Sequence, residues 1–269
     1  MQQEQRERVE AFYDGFQEKL ITDYLLGNPR IVAAIRFMQE HIRPACSSIL
    51  DIGCGMGWST YEFARFFPEA TVQGVDISSE LASLARRMFA LSNLSYQKAD
   101  VTSESFALGR PFDAITLIDV YEHIPVSDRP AFHGHLQRLL SDQGQILIAS
   151  PTPLHQQWLR EHAPEGLQPV DEDVTLEDMQ ALARALEGQL TVFHYRSIWN
   201  TNDYFHAQIE RQPQYQKIGH HRQAARLTPR LQRLLRTFRY LNWRNNPILK
   251  PEHLKYFLKT FFLNNSPAP

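Results

Sequence analysis

Between residues 47 and 150 the chain changes its hydrophobic period again and again, and this alternation restricts the fold more than any other feature of it. Short apolar runs read as buried strands: "SSILDIG" (47–53), "TVQGVDI" (71–77), "LSYQKAD" (94–100), "FDAITLIDV" (112–120) and "GQILIAS" (144–150). Among them, "WSTYEFARFF", "SSELASLARRMFALS" and "RPAFHGHLQRLL" carry apolar residues at helical spacing. In the second, Ser78 or Ser79 is placed to cap the helix, and Leu81, Leu84, Ala85 and Phe89 share one face. Strands separated by helices of about a dozen residues form βαβ units, hence an α/β fold with a parallel sheet covered on both faces.

The flanks read differently. Residues 7–25 have helical period, "GNP" at 27–29 breaks it, and Arg30 to Ile42 resumes it up to Pro44. Beyond "SPTP" (150–153), residues 154–173 are expected to be irregular, followed by a helix over "TLEDMQALARAL" capped by Thr175. "LTVFHYRSIW" and "DYFHAQIE" flank "NTN" as a hairpin, so the sheet should end with one antiparallel strand. Residues 218–262 read as helical and basic. Three units follow: a helical lid over 1–45, a doubly wound domain over 46–212 with an insertion at 151–173, and a basic helical extension over 213–269.

At 43% hydrophobic and 22% charged, the chain has the composition of a soluble globular protein. Its apolar runs are too short to span a bilayer, and its polar start shows no signal sequence. Cys46 and Cys54 make neither a metal-ligand pattern nor a disulfide framework, so a cytoplasmic protein without a metal is expected. The net charge of −2 hides an asymmetry: from Arg211 onward there are 12 Lys and Arg against one acid, Glu252. There, Arg226, Arg230 and Arg233 share a helical face, and Leu227, Leu231, Leu234 and Leu235 line another. Three readings of this amphipathic segment stay open: a cap packed by its Leu face, a contact with a membrane surface, or a binder of an anionic acceptor or nucleic acid.

The first strand ends in "LDIGCGMGWS", residues 50–59, where Gly53, Gly55 and Gly57 precede a helix. Glycine lets backbone approach a ligand closely and take positive φ, and helix N-termini present N–H groups to polar partners. Alone, the turn also fits a strand-to-helix connection with no ligand. Three further acids follow at consecutive strand ends. Asp76 stands where a carboxylate can accept from ribose hydroxyls, Asp100 ends "KAD", and Asp119 ends the fourth strand in "IDVYEHIP". Ligands of open α/β sheets bind at that edge.

As a set, "ILDIGCGMG", "VQGVDIS", "KADV", "FDAITLIDVYEHI" and "LLSDQGQILIASP" resemble the class I S-adenosylmethionine-dependent methyltransferases, strongly over about residues 47–150 and only as a pattern to about 212. The resemblance implies a Rossmann-like sheet of seven strands, the seventh antiparallel, and S-adenosylmethionine as cofactor, leaving S-adenosylhomocysteine. It gives Asp51, Gly53, Cys54, Gly55 and Gly57 to the methionine and ribose portion. Asp76 would hold the ribose, Ile77 would lie against adenine, Asp100 and Val101 would border the adenine amino group, and Asp119 the amino acid end. Tyr13 would cover the sulfonium by cation–π contact and Arg30 would pair the carboxylate.

His123 is the candidate base for an acceptor hydroxyl, against the alternative that it only orients its loop. Tyr121 either faces cofactor and substrate or packs in the core, and His155, with Trp158, His162 and Asp171, lies where such enzymes contact the acceptor. No Asn-Pro-Pro-Tyr-type motif is present, which takes support from base methylation. The expectation is transfer to a small molecule, foremost at a hydroxyl oxygen. Nitrogen or carbon of a metabolite, RNA or protein, and a non-catalytic binding scaffold remain as rivals.

Overall fold

The computed structural model describes residues 3–103, 106–213 and 236. Seven strands form one sheet: β1 (Ser48–Ile52), β2 (Thr71–Asp76), β3 (Leu94–Lys98), β4 (Phe112–Ile118), β5 (Leu140–Pro151), β6 (Gln189–Arg196) and β7 (Tyr204–Glu210). Their order is β3-β2-β1-β4-β5-β7-β6, with β7 antiparallel to both neighbours and all other pairs parallel. The antiparallel strand therefore lies one place inside the edge, not at it. The order reverses between β1 and β4, and a parallel sheet opens a crevice at such a point.

Among the described residues, eight α-helices pack around it: α1 (Gln3–Asp14), α2 (Gln17–Leu26), α3 (Pro29–His41), α4 (Trp58–Phe66), α5 (Ser79–Met88), α6 (Arg129–Leu139), α7 (Pro153–His162) and α8 (Leu176–Ala185). One face of the sheet packs on α2, α3, α4 and α5 through Ile21, Tyr24, Met38, Phe63 and Leu84. The other packs on α6 and α8 through Phe132, Leu136, Met179 and Leu182. Ile49, Leu50 and Ile52 of β1 are at most 1% exposed, and burying each contributes about 1.5–3 kcal/mol. Caps fall on the expected residues: Ser78 Oγ accepts from Leu81 N, and Thr175 forms a reciprocal capping box with Asp178.

Three local readings change. The single N-terminal helix is two, because the chain turns at Gly15, whose N–H donates to Phe12 O while Phe16 N–H donates to Tyr13 O. The segment after β5 is irregular only in its second part: Thr152 accepts from His155 N and Pro153 occupies the first turn, which starts α7, whereas residues 167–175 form no helix or strand. The hairpin loop is longer than "NTN", since the Asp203 carboxylate gathers the N–H groups of Ile198, Trp199 and Asn200. The basic segment expected at 218–262 lies outside the described residues, Arg236 excepted. Among the described residues no helix is long and apolar enough to cross a membrane.

Candidate active site

The three glycines of the β1–α4 turn all have left-handed backbone, with φ of 66° at Gly53, 53° at Gly55 and 86° at Gly57. Their surroundings differ. A Cβ on Gly57 would stand 2.7 Å from the Tyr96 ring, and one on Gly53 would stand 2.3 Å from Val120 Cγ2, whereas Gly55 meets only Leu20 at 3.4 Å. Gly57 is thus required by packing inside the protein, where Tyr96 Oη also donates to its carbonyl. Asp51 is likewise turned inward. Its carboxylate accepts from Ser59 Oγ (2.6 Å), Thr60 Oγ1 (2.7 Å) and Thr116 Oγ1 (2.7 Å), bolting β1 to α4 and β4. Asp51 and Gly57, expected at the cofactor, line neither cavity described next.

Two cavities open at the carboxyl edge of the strands. The first, of about 620 Å³, lies beyond β2, β3 and β4 and is lined by Val9, Ile77, Asp100, Val101 and His123, among others. The second, of about 860 Å³, runs past the glycine turn toward α2 and α3, with Cys54, Gly55, Trp58, Lys19, Arg30 and Gln168 on its walls. Tyr13, Gly53, Asp76 and Asp119 line both, so the two are one cleft with Tyr13 at its waist.

Asp76 ends β2 and accepts from Gly55 N–H (2.7 Å) and Ser78 N–H (2.9 Å). Burial pushes its carboxyl up to about 6, against those two hydrogen bonds. Asp100 Oδ1 accepts from Thr102 N–H and Oγ1 at 2.8 and 2.7 Å. The Cys54 thiol is raised well above its usual range by burial, then by Asp76 and Asp51, and stays protonated.

Asp119 follows β4 with φ at 52°, a strained backbone for a residue that is not glycine. One carboxylate oxygen pairs with Arg30 Nη1, which also donates to Tyr204 Oη at 3.2 Å. The other, Oδ1, is buried without a hydrogen bond among the described residues, and so are Arg30 Nε, Trp58 Nε1 and Gln168 Oε1. All four side chains line the second cavity. Burial raises the Asp119 carboxyl and Arg30 opposes it. A buried polar atom left unpaired costs about 1–3 kcal/mol, and four of them on one cavity wall make this the candidate ligand site.

His123 sits in a 3₁₀ turn over Tyr121–His123. Its Nδ1 is 2.7 Å from Val170 O and 3.2 Å from Asp171 Oδ1, and its Nε2 is 3.9 Å from Glu122 Oε1. Burial alone would lower the imidazole, but Asp171 and Glu122 raise it to about 9. The ring is a cation at neutral pH, the wrong state for the base that its sequence position suggested. Glu122 beside it is raised by burial and by Asp119, and accepts from Ser150 Oγ at 3.0 Å. Tyr121 is fully buried, its Oη 2.8 Å from His133 Nε2 with Arg129 against its ring, so it belongs to the core and not to a substrate surface. His155 and Trp158 lie on α7 and line neither cavity.

Residues 49–144 match a family model described as a methyltransferase domain. The ubiquinone biosynthesis O-methyltransferase of Stutzerimonas stutzeri (strain A1501) is 32% identical over 118 residues, 43% of this chain and 49% of that protein. The same-named protein of Bartonella tribocorum is 35% identical over 111 residues, 41% and 43% of the two chains. The chain spans about half the length of these curated relatives. Among solved structures, the magnesium protoporphyrin IX methyltransferase of Synechocystis PCC 6803 with bound SAH aligns with a TM-score of 0.53 at 19% identity, over 68% of this chain and 82% of that one. The DhpI–SAH complex aligns at 0.57 and 16%, over 80% and 100%. At those identities the likeness is one of fold.

Proposed function

We propose, from the match of residues 49–144 to a methyltransferase domain and from the site geometry, that this chain is a class I S-adenosylmethionine-dependent methyltransferase and moves a methyl group from S-adenosylmethionine to a small-molecule acceptor at a hydroxyl oxygen. The observation that carries this is the unpaired set around Arg30 and Asp119. Arg30 Nε is a buried donor and Asp119 Oδ1 a buried acceptor on one cavity wall. An α-amino acid zwitterion satisfies both, its carboxylate on Arg30 and its ammonium on Asp119. The first cavity has the walls for a nucleoside: Ile77 and Val101 for the flat faces of a base, and Asp76 between base and amino acid for ribose hydroxyls.

When bound, the cofactor supplies an activated methyl on a sulfonium sulfur. The chain aligns that methyl with the acceptor and excludes water, and alignment alone is worth several kcal/mol. Tyr13, at the waist of the cleft, presents a ring to the cationic sulfur. Its hydroxyl is raised well above the usual range, first by burial and then by Glu122, so the ring stays neutral. The Asp76 carboxylate, whose hydrogen-bond donors are backbone N–H groups, adds negative charge that favours a cationic donor. Support for oxygen as the acceptor atom comes from the relatives, which are named as O-methyltransferases. Calorimetry of the cofactor-free protein with S-adenosylhomocysteine tests the reading, and absence of binding would sink it.

A further inference from the structure

The basic segment that follows β7 meets the cleft wall at Arg236. This residue is only 9% exposed. Its guanidinium lies 4.8 Å from the centre of the Trp58 ring. It also packs against Gly27, where a Cβ would stand 2.3 Å from Arg236 Nη1. Gly27 has φ of 77° and closes α2, its N–H donating to Asp23 O. A cation is favoured at a helix C-terminus by the carbonyl dipoles, and over an indole face by the ring quadrupole. This guanidinium is therefore spent inside the protein and is not offered to a phosphate. Arg211, where the segment starts, donates to Gln137 O and Leu140 O at 3.3 and 2.9 Å, at the edge where β5 begins. Trp58 follows the glycine turn at the opposite edge, where the cleft opens. The segment thus leads from the far side of the sheet to a wall of the cleft.

Trp58 opens α4 and is 5% exposed. Tyr24 meets its ring edge-on, at 5.4 Å between centroids and 81°. With Arg236, that contact fixes the indole. Its Nε1 has no hydrogen-bond partner among the described residues, and the side chain lines the second cavity together with Arg30 and Asp119. An indole N–H can only donate, so the ligand atom that meets it must be an acceptor. A carboxylate accepts from several donors, and one already held by Arg30 has room for an indole N–H.

We infer that Trp58 Nε1 donates to the carboxylate of the cofactor's amino acid end in the second cavity, and that Arg236, from the basic C-terminal segment, positions the indole for it. This rests on the methyl-transfer reading above. Trp58 is the binding residue. Arg236 lines neither cavity and acts through the ring it covers. The basic segment is then a cap on the chain's own domain, and it fixes one wall of the cofactor cleft.

The experiment uses the full chain and two ligands: S-adenosylhomocysteine, and methylthioadenosine, which keeps the nucleoside and sulfur but has no carboxylate. Trp58→Phe leaves a ring under Arg236 and removes the donor. Calorimetry should show S-adenosylhomocysteine bound about 10- to 100-fold more weakly, as for a lost hydrogen bond to a charged group. Arg236→Met should weaken it by about 3- to 10-fold, within the range of a cation–π contact. Neither change should alter the affinity for methylthioadenosine. In the Trp58→Phe background, Arg236→Met should add nothing, because its effect runs through the indole. In wild-type protein carrying ¹⁵N-labelled tryptophan, S-adenosylhomocysteine should shift the Trp58 indole signal further than methylthioadenosine does. Equal losses for both ligands, an Arg236→Met effect that persists without the indole, or a Trp58 signal that S-adenosylhomocysteine does not move overturns the inference. Wild-type protein that does not bind S-adenosylhomocysteine overturns the methyl-transfer reading, and the inference with it.

Discussion

Asp51 and Asp119 stand near the ends of neighbouring parallel strands, at the same edge of one sheet, and their surroundings are opposites. Asp51 is 1% exposed and takes hydrogen bonds from three hydroxyls. Asp119 has one oxygen on Arg30 and the other buried with nothing to bind among the described residues. The first region is finished by the fold; the second keeps an unpaired acceptor among the described residues. A strand-end acid is therefore not a ligand residue by position. What separates the two is whether the chain itself supplies the donors, as Ser59, Thr60 and Thr116 do for Asp51.

The largest effect expected from this contrast is on stability. Asp51→Ala leaves three buried hydroxyls without their acceptor, at about 1–3 kcal/mol each. Denaturant unfolding should show a loss of about 3–9 kcal/mol; a loss below about 1 kcal/mol with weakened S-adenosylhomocysteine binding would place Asp51 on the ligand side after all. Next comes the pair across the cleft. Removing both charges together, Arg30→Met with Asp119→Leu, should keep stability within about 1 kcal/mol, since no buried charge is stranded. The same double variant should bind S-adenosylhomocysteine about 3 kcal/mol more weakly, two charge-assisted contacts at the lower end of their range. Unchanged affinity in calorimetry would break the comparison outright.

Asp76 tests the middle of the cleft. Asp76→Ala should weaken S-adenosylhomocysteine binding by about 1.5–3 kcal/mol, as hydrogen bonds to a charged group are lost. Its folded pKa of about 6 is above the ordinary carboxylate value. The acceptor form is therefore lost as pH falls through 6, and wild-type affinity should decline there while Asp76→Asn stays flat. The smallest effect belongs to His123. Its pKa of about 9 is above the unfolded value near 6.5. The contact with Asp171 then stabilises the protein fully below about pH 6.5 and is lost as pH rises through 9. NMR titration of the ring gives a direct reading, and a midpoint near 6.5 would return His123 to the role of base.

Much of this was legible in the residues. The alternation of period gave five of the strands, since one face or two faces of burial leave different spacing in the sequence. Ser78 and Thr175 announced their caps because capping is a local bond over three residues. The break at Gly15 was hidden, as apolar spacing continued through it. The start of α7 was hidden by His, Pro and acids that resemble a loop, although Thr152-Pro153 is an ordinary helix opening. Gln168 left no signal: a lone glutamine in a connecting segment becomes notable only when its oxygen is buried beside Arg30 and Asp119.

The sequence by itself determined the doubly wound sheet, the glycine turn and the row of acids that follows it, because each is written in local spacing and backbone freedom. Tertiary structure alone decided which of those acids are spent. Packing turned Asp51 and Gly57 inward, brought Arg30 from α3 onto Asp119, and tied His123 to Asp171, which lies 48 positions further along the chain. Charge state and hydrogen-bond saturation depend on neighbours distant in sequence, and so the same Asp or His reads alike in the chain and acts differently in the fold.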